Sequence, residues 1–325
     1  MTNIFVNLKR FEVPRAAGGV SDSADPRQWI ETVIAEVIQG GLGCNPDLNL
    51  CIILPEGLLL PALVQLGAAP AERRTRLALG AQGVYRQDIA VGGNFGAFTT
   101  LLPAASAKLF GATWALIGHS EERKDKFEIL ARFEPRVNTD AELRQRANGA
   151  VSALIGEEVG CARRADLNVL LCVGETAEEK GGGSAAEQRS RVEAVLAGQL
   201  ETALAGAATT AATPKIVIAY EPRWAIGPGK TPPDAEYIAF VSSFIKAQTR
   251  RVAGVELPVV YGGGLKEENA AMIAGVSTLD GGLVALTRFT GQIGFYPEDL
   301  QKIIGKYLAQ RDVPSSRTRT TSSHS

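Results

Sequence analysis

One repeating pattern constrains the fold of this chain more than any other feature. A short apolar run, often β-branched, is followed by a glycine or polar break and then by a longer amphipathic segment, and this unit recurs about eight times in 325 residues. Such apolar runs are typical of parallel strands buried on both faces, and the amphipathic segments are typical of the helices between them. Eight units favour a closed (β/α)8 barrel over an open doubly wound sheet, because closure leaves no sheet edge exposed.

The same pattern predicts where the elements and the domain boundary lie. The predicted strands are 3–8, 48–54, 75–81, 113–117, 168–173, 215–220, 258–261 and 278–286. The predicted helices are 26–40, 57–68, 103–110, 139–165, 184–206, 233–252, 266–274 and 297–309. A barrel of this kind takes about 250 residues, and the surplus lies in a charged stretch at 122–150, an Ala/Thr-rich connector at 206–214 and a Ser-, Thr- and Arg-rich tail. We predict one barrel domain over residues 1–310 and a disordered tail over residues 311–325.

Charge and cysteine usage narrow the class of function. Thirty-four Lys and Arg nearly cancel 35 Asp and Glu, which argues against binding to nucleic acid or to an anionic membrane surface. The four cysteines are dispersed without metal-ligand spacing, which argues against a zinc site and for a reduced compartment. The apolar run at the N-terminus is too short for a signal peptide, and no later run approaches 18 apolar residues. We therefore expect a cytoplasmic enzyme.

Polar motifs follow four of the predicted strands. In barrels of this class the catalytic groups come from the C-terminal ends of the strands, so these motifs are the candidate site. They are Asn7-Leu8-Lys9, IGHSEER at 117–123, LCVGET at 171–176 and AYEPRWAIGPGK at 219–230.

In this order, NxK, GHSEER, CVGET and AYEPxWAIGxGK resemble the triosephosphate isomerase family, and the resemblance covers roughly residues 3–309. GHSE and AYEPxWAIGxGK are specific signals, whereas NxK or CVGET alone would be weak. The resemblance implies a TIM barrel and an aldose–ketose isomerase acting on a small phosphorylated sugar. It implies no cofactor and no metal, because a carboxylate that shuttles a proton needs neither.

The resemblance also assigns roles to residues. It implies that His119 is the electrophile, Glu221 the base, and Asn7 and Lys9 the groups that hold the substrate, with Lys9 also serving catalysis. Moving a carbonyl to the neighbouring carbon requires a carboxylate beside both carbons and a donor that steadies the enediolate. The structural alternatives are a core histidine, a surface glutamate and a solvated lysine. Gly227 would contact phosphate from a mobile lid over residues 222–230, unless that loop is static.

Residues around these motifs receive supporting roles. Ser120 and Glu121 are expected to orient Lys9 and the loop that carries His119, the histidine loop. Glu175 is expected to form a structural charge pair with Arg123. The segment 92–100, GGNFGAFTT, resembles the family's long third loop, which reaches into a partner subunit. We therefore expect a homodimer, with a purely local loop as the alternative.

The chain departs from the family pattern where the phosphate is held. Leu8 stands where tryptophan is usual, Gly264 where serine follows YGG, and Ala285-Leu286 where a Gly-Gly pair is usual. A leucine side chain would obstruct the close backbone approach that a glycine pair allows. We therefore expect a rebuilt phosphate pocket that uses Gly264 and Arg288, although Arg288 could equally be a surface or interface arginine.

We expect an isomerase of tetrulose phosphates, and two alternatives stay open. NLKRF, GAFTT and ALTRFTGQIGFYP resemble the branch of the family that isomerises tetrulose phosphates, such as L-erythrulose 1-phosphate to D-erythrulose 4-phosphate in erythritol catabolism. The alternative is a glycolytic enzyme that interconverts glyceraldehyde 3-phosphate and dihydroxyacetone phosphate. The third is an inactive barrel that only binds sugar phosphates.

Overall fold

The computed structural model describes residues 1–205, 215–226 and 230–312. The strands are β1 Thr2–Asn7, β2 Leu48–Leu54, β3 Leu77–Ala81, β4 Trp114–Ile117, β5 Asn168–Val173, β6 Ile216–Tyr220, β7 Val259–Tyr261 and β8 Gly281–Val284. The α-helices are α1 Pro26–Gln39, α2 Glu56–Ala68, α3 Ala104–Leu109, α4 Ser120–Phe133, α5 Ala141–Arg164, α6 Ala177–Lys180, α7 Ala185–Ala203, α8 Ala235–Ala253, α9 Ala270–Gly275 and α10 Pro297–Arg311. The predicted connector at 206–214, Gly227 of the predicted lid, and the predicted tail from 313 onward lie outside the described residues.

The eight strands form one closed parallel barrel in chain order, and β8 closes on β1. The closure needs a glycine, because a Cβ on Gly281 would lie 1.7 Å from the carbonyl oxygen of Asn3. The predicted (β/α)8 fold and the order of its strands are confirmed.

Two apolar layers hold the barrel together, as expected for strands buried on both faces. Alternate residues fill the interior, and they include Phe5, Cys51, Leu116, Leu170, Cys172, Ala219 and Leu283. The residues between them pack against the surrounding helices. Because side chains alternate along a strand, Asn7 shares the inner face with Phe5, and Glu221 follows Ala219 onto that face at the carboxyl end of β6.

The charged stretch at 122–150 holds a helix that the pattern did not predict. Helix α4 begins directly after His119, although its composition is mostly charged. Lys124 and Glu128 lie 3.6 Å apart at i,i+4 spacing, which supports a helix. Phe127 and Leu130 pack against the core. These two apolar side chains hold the helix against the barrel, although most of its residues are charged.

Helix α10 continues to Arg311, inside the segment predicted as tail. The Arg311 guanidinium donates hydrogen bonds to the carbonyl of Leu279 and to the hydroxyl of Tyr307. These contacts extend the helix two residues beyond its predicted end at 309. No described helix is long and apolar enough to cross a membrane.

Candidate active site

Asn7 and Lys9 are held together at the carboxyl end of β1. Asn7 is 4% exposed, and its Oδ1 accepts a hydrogen bond from the Lys9 backbone N–H at 3.0 Å. Lys9 adopts a left-handed backbone with φ of 44°, a conformation that costs a non-glycine residue about 1–3 kcal/mol and persists only where the surroundings enforce it.

Gln82 supplies that enforcement, and it was not predicted from the sequence. Its Nε2 donates to Asn7 Oδ1 at 3.2 Å and to the Lys9 carbonyl at 2.8 Å. The available signal was its position, since it is the first residue after β3 and therefore reaches the same barrel mouth. Gln82 fixes the direction in which Lys9 leaves the strand.

His119 is the N-cap of α4. Its Nδ1 accepts a hydrogen bond from the backbone N–H of Glu121 at 3.3 Å. In this geometry Nδ1 is unprotonated, so the neutral imidazole carries its proton on Nε2. Only about an eighth of the side chain is exposed (12%), and Nε2 is the atom left to act on a ligand.

Glu221 lies beside His119 and is almost fully buried, at 3% exposure. Its Oε1 lies 3.3 Å from His119 Nε2, and its Oε2 accepts a hydrogen bond from the Ser120 N–H at 2.8 Å. That N–H is the first of α4, where the helix dipole favours a negative group. The predicted base and electrophile are therefore neighbours, and the predicted supporting residue Ser120 acts on Glu221 through its backbone.

Glu121 contacts Lys9 across the site. Lys9 Nζ lies 2.5 Å from Glu121 Oε1. Partial burial alone would raise the pKa of Glu121, but the hydrogen bond and charge of Lys9 outweigh it and lower that pKa. The pair is open to solvent, with 34% and 69% of the two side chains exposed, so it orients Lys9 and adds little stability.

The predicted charge pair between Glu175 and Arg123 is wrong. Glu175 Oε1 accepts hydrogen bonds from Trp224 Nε1 at 2.7 Å, Tyr220 OH at 3.0 Å and Tyr237 OH at 3.1 Å. Burial raises the pKa of Glu175 although these bonds oppose the rise. Glu175 therefore fixes the first residues of the predicted lid, because Trp224 belongs to that segment.

The Arg123 guanidinium instead reaches backbone carbonyls. It donates to Gly118 O and Cys172 O, both at 2.9 Å, and to Ser152 Oγ at 3.4 Å. The arginine thus ties the histidine loop to β5.

The two predicted phosphate ligands, Gly264 and Arg288, have different surroundings. Gly264, which follows β7, has φ of +92° and open space where a Cβ would stand. Arg288 donates from Nε and Nη2 to Asp299 Oδ2 at 3.1 and 2.7 Å, and its guanidinium stacks 3.8 Å from the Tyr296 ring centroid. Its charge is already paired at the start of α10, so its role toward phosphate stays a prediction.

Among the described residues, no group of three or more His, Cys, Asp or Glu side chains could hold a metal ion. The chemistry that the site offers is that of a buried carboxylate, a neutral imidazole donor and a lysine ammonium at one barrel mouth.

Comparison with known proteins decides the family. The family model for triosephosphate isomerase matches residues 49–292. The chain belongs to the triosephosphate isomerase family. Triosephosphate isomerase of Acidiphilium cryptum is 35% identical over 243 residues, 74% of this chain and 81% of the relative. That of Oleidesulfovibrio alaskensis is 36% identical over 208 residues, 63% of this chain and 69% of the relative.

A crystal structure of triosephosphate isomerase from Bartonella henselae covers 94% of this chain and 99% of its own, with a TM-score of 0.63 and 24% identity. At that identity the match supports the fold alone. Membership of the triosephosphate isomerase family makes the chain an isomerase, as predicted. These relatives do not distinguish a tetrulose-phosphate branch, and their names fit the triose alternative better.

Proposed function

We propose that this chain interconverts an aldose phosphate and a ketose phosphate through an enediol, with glyceraldehyde 3-phosphate and dihydroxyacetone phosphate as its substrates. The observation that carries the proposal is the contact between His119 and Glu221, a neutral donor 3.3 Å from a buried carboxylate. Such a pair suits removal of a weakly acidic proton next to a carbonyl, because one group takes the proton while the other meets the charge that develops on oxygen.

In this proposal Glu221 takes the proton from one carbon and returns it to the next. His119 donates from Nε2 to the substrate oxygen, and Lys9 places its positive charge beside the same oxygen. Asn7 and Gln82 fix the backbone from which Lys9 extends. No other group has to gain or lose electrons, because the two carbons exchange their oxidation states internally.

Substrate entry requires Glu221 to move. In the described arrangement Glu221 Oε1 occupies the space in front of His119 Nε2. A substrate oxygen that accepts from Nε2 would displace this carboxylate, which then breaks its bond to Ser120 and turns toward the substrate carbon. Gly227 lies outside the described residues, and its contact with phosphate from the lid remains part of the proposal.

Tetrulose phosphates are the second candidate substrates. What favours them is the departure from the family pattern at Gly264 and Ala285-Leu286, which follow β7 and β8. One additional hydroxymethyl group would have to fit there.

Paired assays test the proposal. Initial rates are measured on glyceraldehyde 3-phosphate and on L-erythrulose 1-phosphate with the same purified protein. A higher kcat/KM on the triose supports the main proposal, whereas a higher value on the tetrulose transfers it to the second candidate. Absence of activity on both, with binding of sugar phosphate retained, would leave the inactive barrel.

Two further expectations accompany the proposal. The loop after β3 exposes Val91 and Phe95 almost completely, which is consistent with a homodimer in which this loop inserts into a partner. Analytical ultracentrifugation tests that expectation. We also propose a cytoplasmic location, which fractionation of the source cells would test.

A further inference from the structure

Gln199 lies in α7 four residues before the helix ends at Ala203. It is 8% exposed and uses both ends of its amide on one glycine. Its Oε1 accepts from the Gly174 N–H at 2.9 Å, and its Nε2 donates to the Gly174 carbonyl at 3.0 Å. Gly174 is the first residue after β5, just beyond the last strand pair, Val173 with Tyr220. Its buried peptide groups need partners there, and Gln199 supplies both.

Gly174 in turn lies against the backbone of Glu221. A Cβ at position 174 would lie only 1.8 Å from the Glu221 carbonyl oxygen and 3.3 Å from its Cα. Next to it, the Glu221 N–H donates to the carbonyl of Val173 at 2.8 Å. The position of the Gly174 backbone therefore limits the positions that the Glu221 backbone can take.

We propose that Gln199 is a positioning residue for Glu221: its amide holds the Gly174 peptide, and that peptide fixes the backbone from which the carboxylate extends. Gln199 touches no substrate in this proposal and acts only through Gly174. The inference rests on the proposed function, in which Glu221 is the base.

The expected effect is on turnover more than on binding. A displacement of about 1 Å at a catalytic group can cost about a hundredfold in rate even when the mutation lies away from the chemistry. Glu221 transfers its proton in the transition state, so a misplaced carboxylate lowers kcat while KM stays nearly constant. We expect Gln199→Met to lower kcat about tenfold or more, with KM changed less than about twofold.

The chain offers a matched control. Gln248 on α8 is 7% exposed and also bonds from both ends of its amide. Its Nε2 donates to Glu201 Oε1 at 3.0 Å, and its Oε1 accepts from Arg251 Nε at 3.1 Å. These partners are helix side chains away from the barrel mouth. Gln248→Met therefore removes a comparable buried amide and should leave kcat and KM unchanged.

A second variant separates positioning from general loss of structure. In Gln199→Glu, a protonated carboxyl can reproduce both bonds to Gly174, since it offers one donor and one acceptor. The ionised carboxylate cannot donate to the Gly174 carbonyl. The kcat of this variant, divided by that of the wild type at each pH, should therefore rise as the pH falls, whereas the same ratio for Gln199→Met should stay flat.

The folded state of each variant is checked by circular dichroism and thermal unfolding. A cavity of about 520 Å3 between α5 and α7 adjoins Gln199, which gives the methionine side chain room. Unchanged kcat in Gln199→Met would overturn the proposal, and so would a loss equal to that of Gln248→Met or a pH-independent ratio for Gln199→Glu.

Failure of the proposed function is distinguishable from failure of the positioning role. If the wild type isomerises neither sugar phosphate, the proposed function fails, and the positioning role is read from amide hydrogen exchange at Gly174 and Glu221 by NMR. Faster exchange at both amides in Gln199→Met, but not in Gln248→Met, supports the role. Equal exchange in both variants overturns it.

Discussion

The carboxylate of Glu221 accepts a hydrogen bond from the backbone N–H of Ser120 at 2.8 Å, at the point where α4 begins. This bond joins the end of β6 to the end of β4, so the sixth and fourth strands bring their chemical groups together at one barrel mouth. It gives the carboxylate a defined resting position, with its other oxygen 3.3 Å from His119 Nε2. The reach of the Glu221 side chain therefore decides whether it can also contact a substrate.

Shortening that side chain by one methylene tests the base. We expect Glu221→Asp to lower kcat about a hundredfold to ten-thousandfold, the range that general-base catalysis supplies, with a much smaller effect on KM. Steady-state kinetics on the preferred sugar phosphate measures both constants. Full turnover in the aspartate variant would remove Glu221 from the role of base.

Two substitutions of His119 separate its role as a hydrogen-bond donor from its role as the N-cap of α4. Asparagine is among the best N-cap residues, so His119→Asn keeps an acceptor at the start of α4 but removes the Nε2 donor. We expect kcat to fall about a hundredfold to a thousandfold, as for loss of one oxyanion donor, with an unchanged melting temperature. As a control, His119→Ala should lose the same activity and also about 1 kcal/mol of stability. A fully active asparagine variant would contradict the electrophile assignment.

The sequence predicted the barrel, and it predicted that His119 and Glu221 meet at one barrel mouth, because both depend on local order. Each strand is a short apolar run, and His119 and Glu221 come within two residues after two of those runs, inside specific motifs. Gln199 could not be found this way. It lies near the C-terminal end of α7, 25 residues from Gly174, and only the packing of α7 against the barrel brings the two together.

The error at Glu175 has the same origin. Opposite charges suggested a pair with Arg123, but Tyr237 from a helix 62 residues away and Trp224 from the lid segment reach the carboxylate first. The spacing of residues along the sequence does not indicate that these neutral donors contact the same carboxylate. Helix α4 was not predicted because its few apolar residues give only a weak helical periodicity of hydrophobic positions. Its i,i+4 ion pairs stabilise the helix only once it has formed.

Arg288→Ala tests whether this arginine binds phosphate. If it does, KM should rise strongly, because a guanidinium recognises phosphate with two hydrogen bonds. If Arg288 only holds the loop after β8 against α10 through its ion pair with Asp299, thermal stability should fall while KM stays constant. Arg250→Ala is the control, since Arg250 is a 72% exposed arginine in the last turn of α8 and is paired with Glu256. An unchanged KM would remove Arg288 from the site.

A pair of carboxyls, the half-buried Glu122 and the buried Glu158, gives a prediction on pH. Glu122 Oε2 accepts from the Gly118 N–H at 2.6 Å, and Lys126 bridges Glu122 and Glu158. Burial, together with the neighbouring Glu122, raises the pKa of Glu158 from 4.5 to about 9. Burial alone would raise the pKa of Glu122 as well, but its hydrogen bonds and the charge of Lys126 lower it. The two carboxyls therefore titrate as a pair, and burial makes Glu158 the member that is harder to ionise.

The raised pKa of Glu158 means that the folded protein holds a proton which the unfolded chain releases near pH 4.5. Its contribution to stability is full below that pH and is lost as the pH rises toward about 9, at a slope of at most about 1.4 kcal/mol per pH unit. Glu158→Gln cannot titrate, so the free energy of unfolding of this variant should decline less between pH 6 and pH 9 than that of the wild type. Glu157→Gln, which changes the more exposed neighbour on α5, should keep the wild-type slope. Urea unfolding at both pH values measures the difference, and parallel slopes in all three proteins would show that Glu158 is ionised throughout.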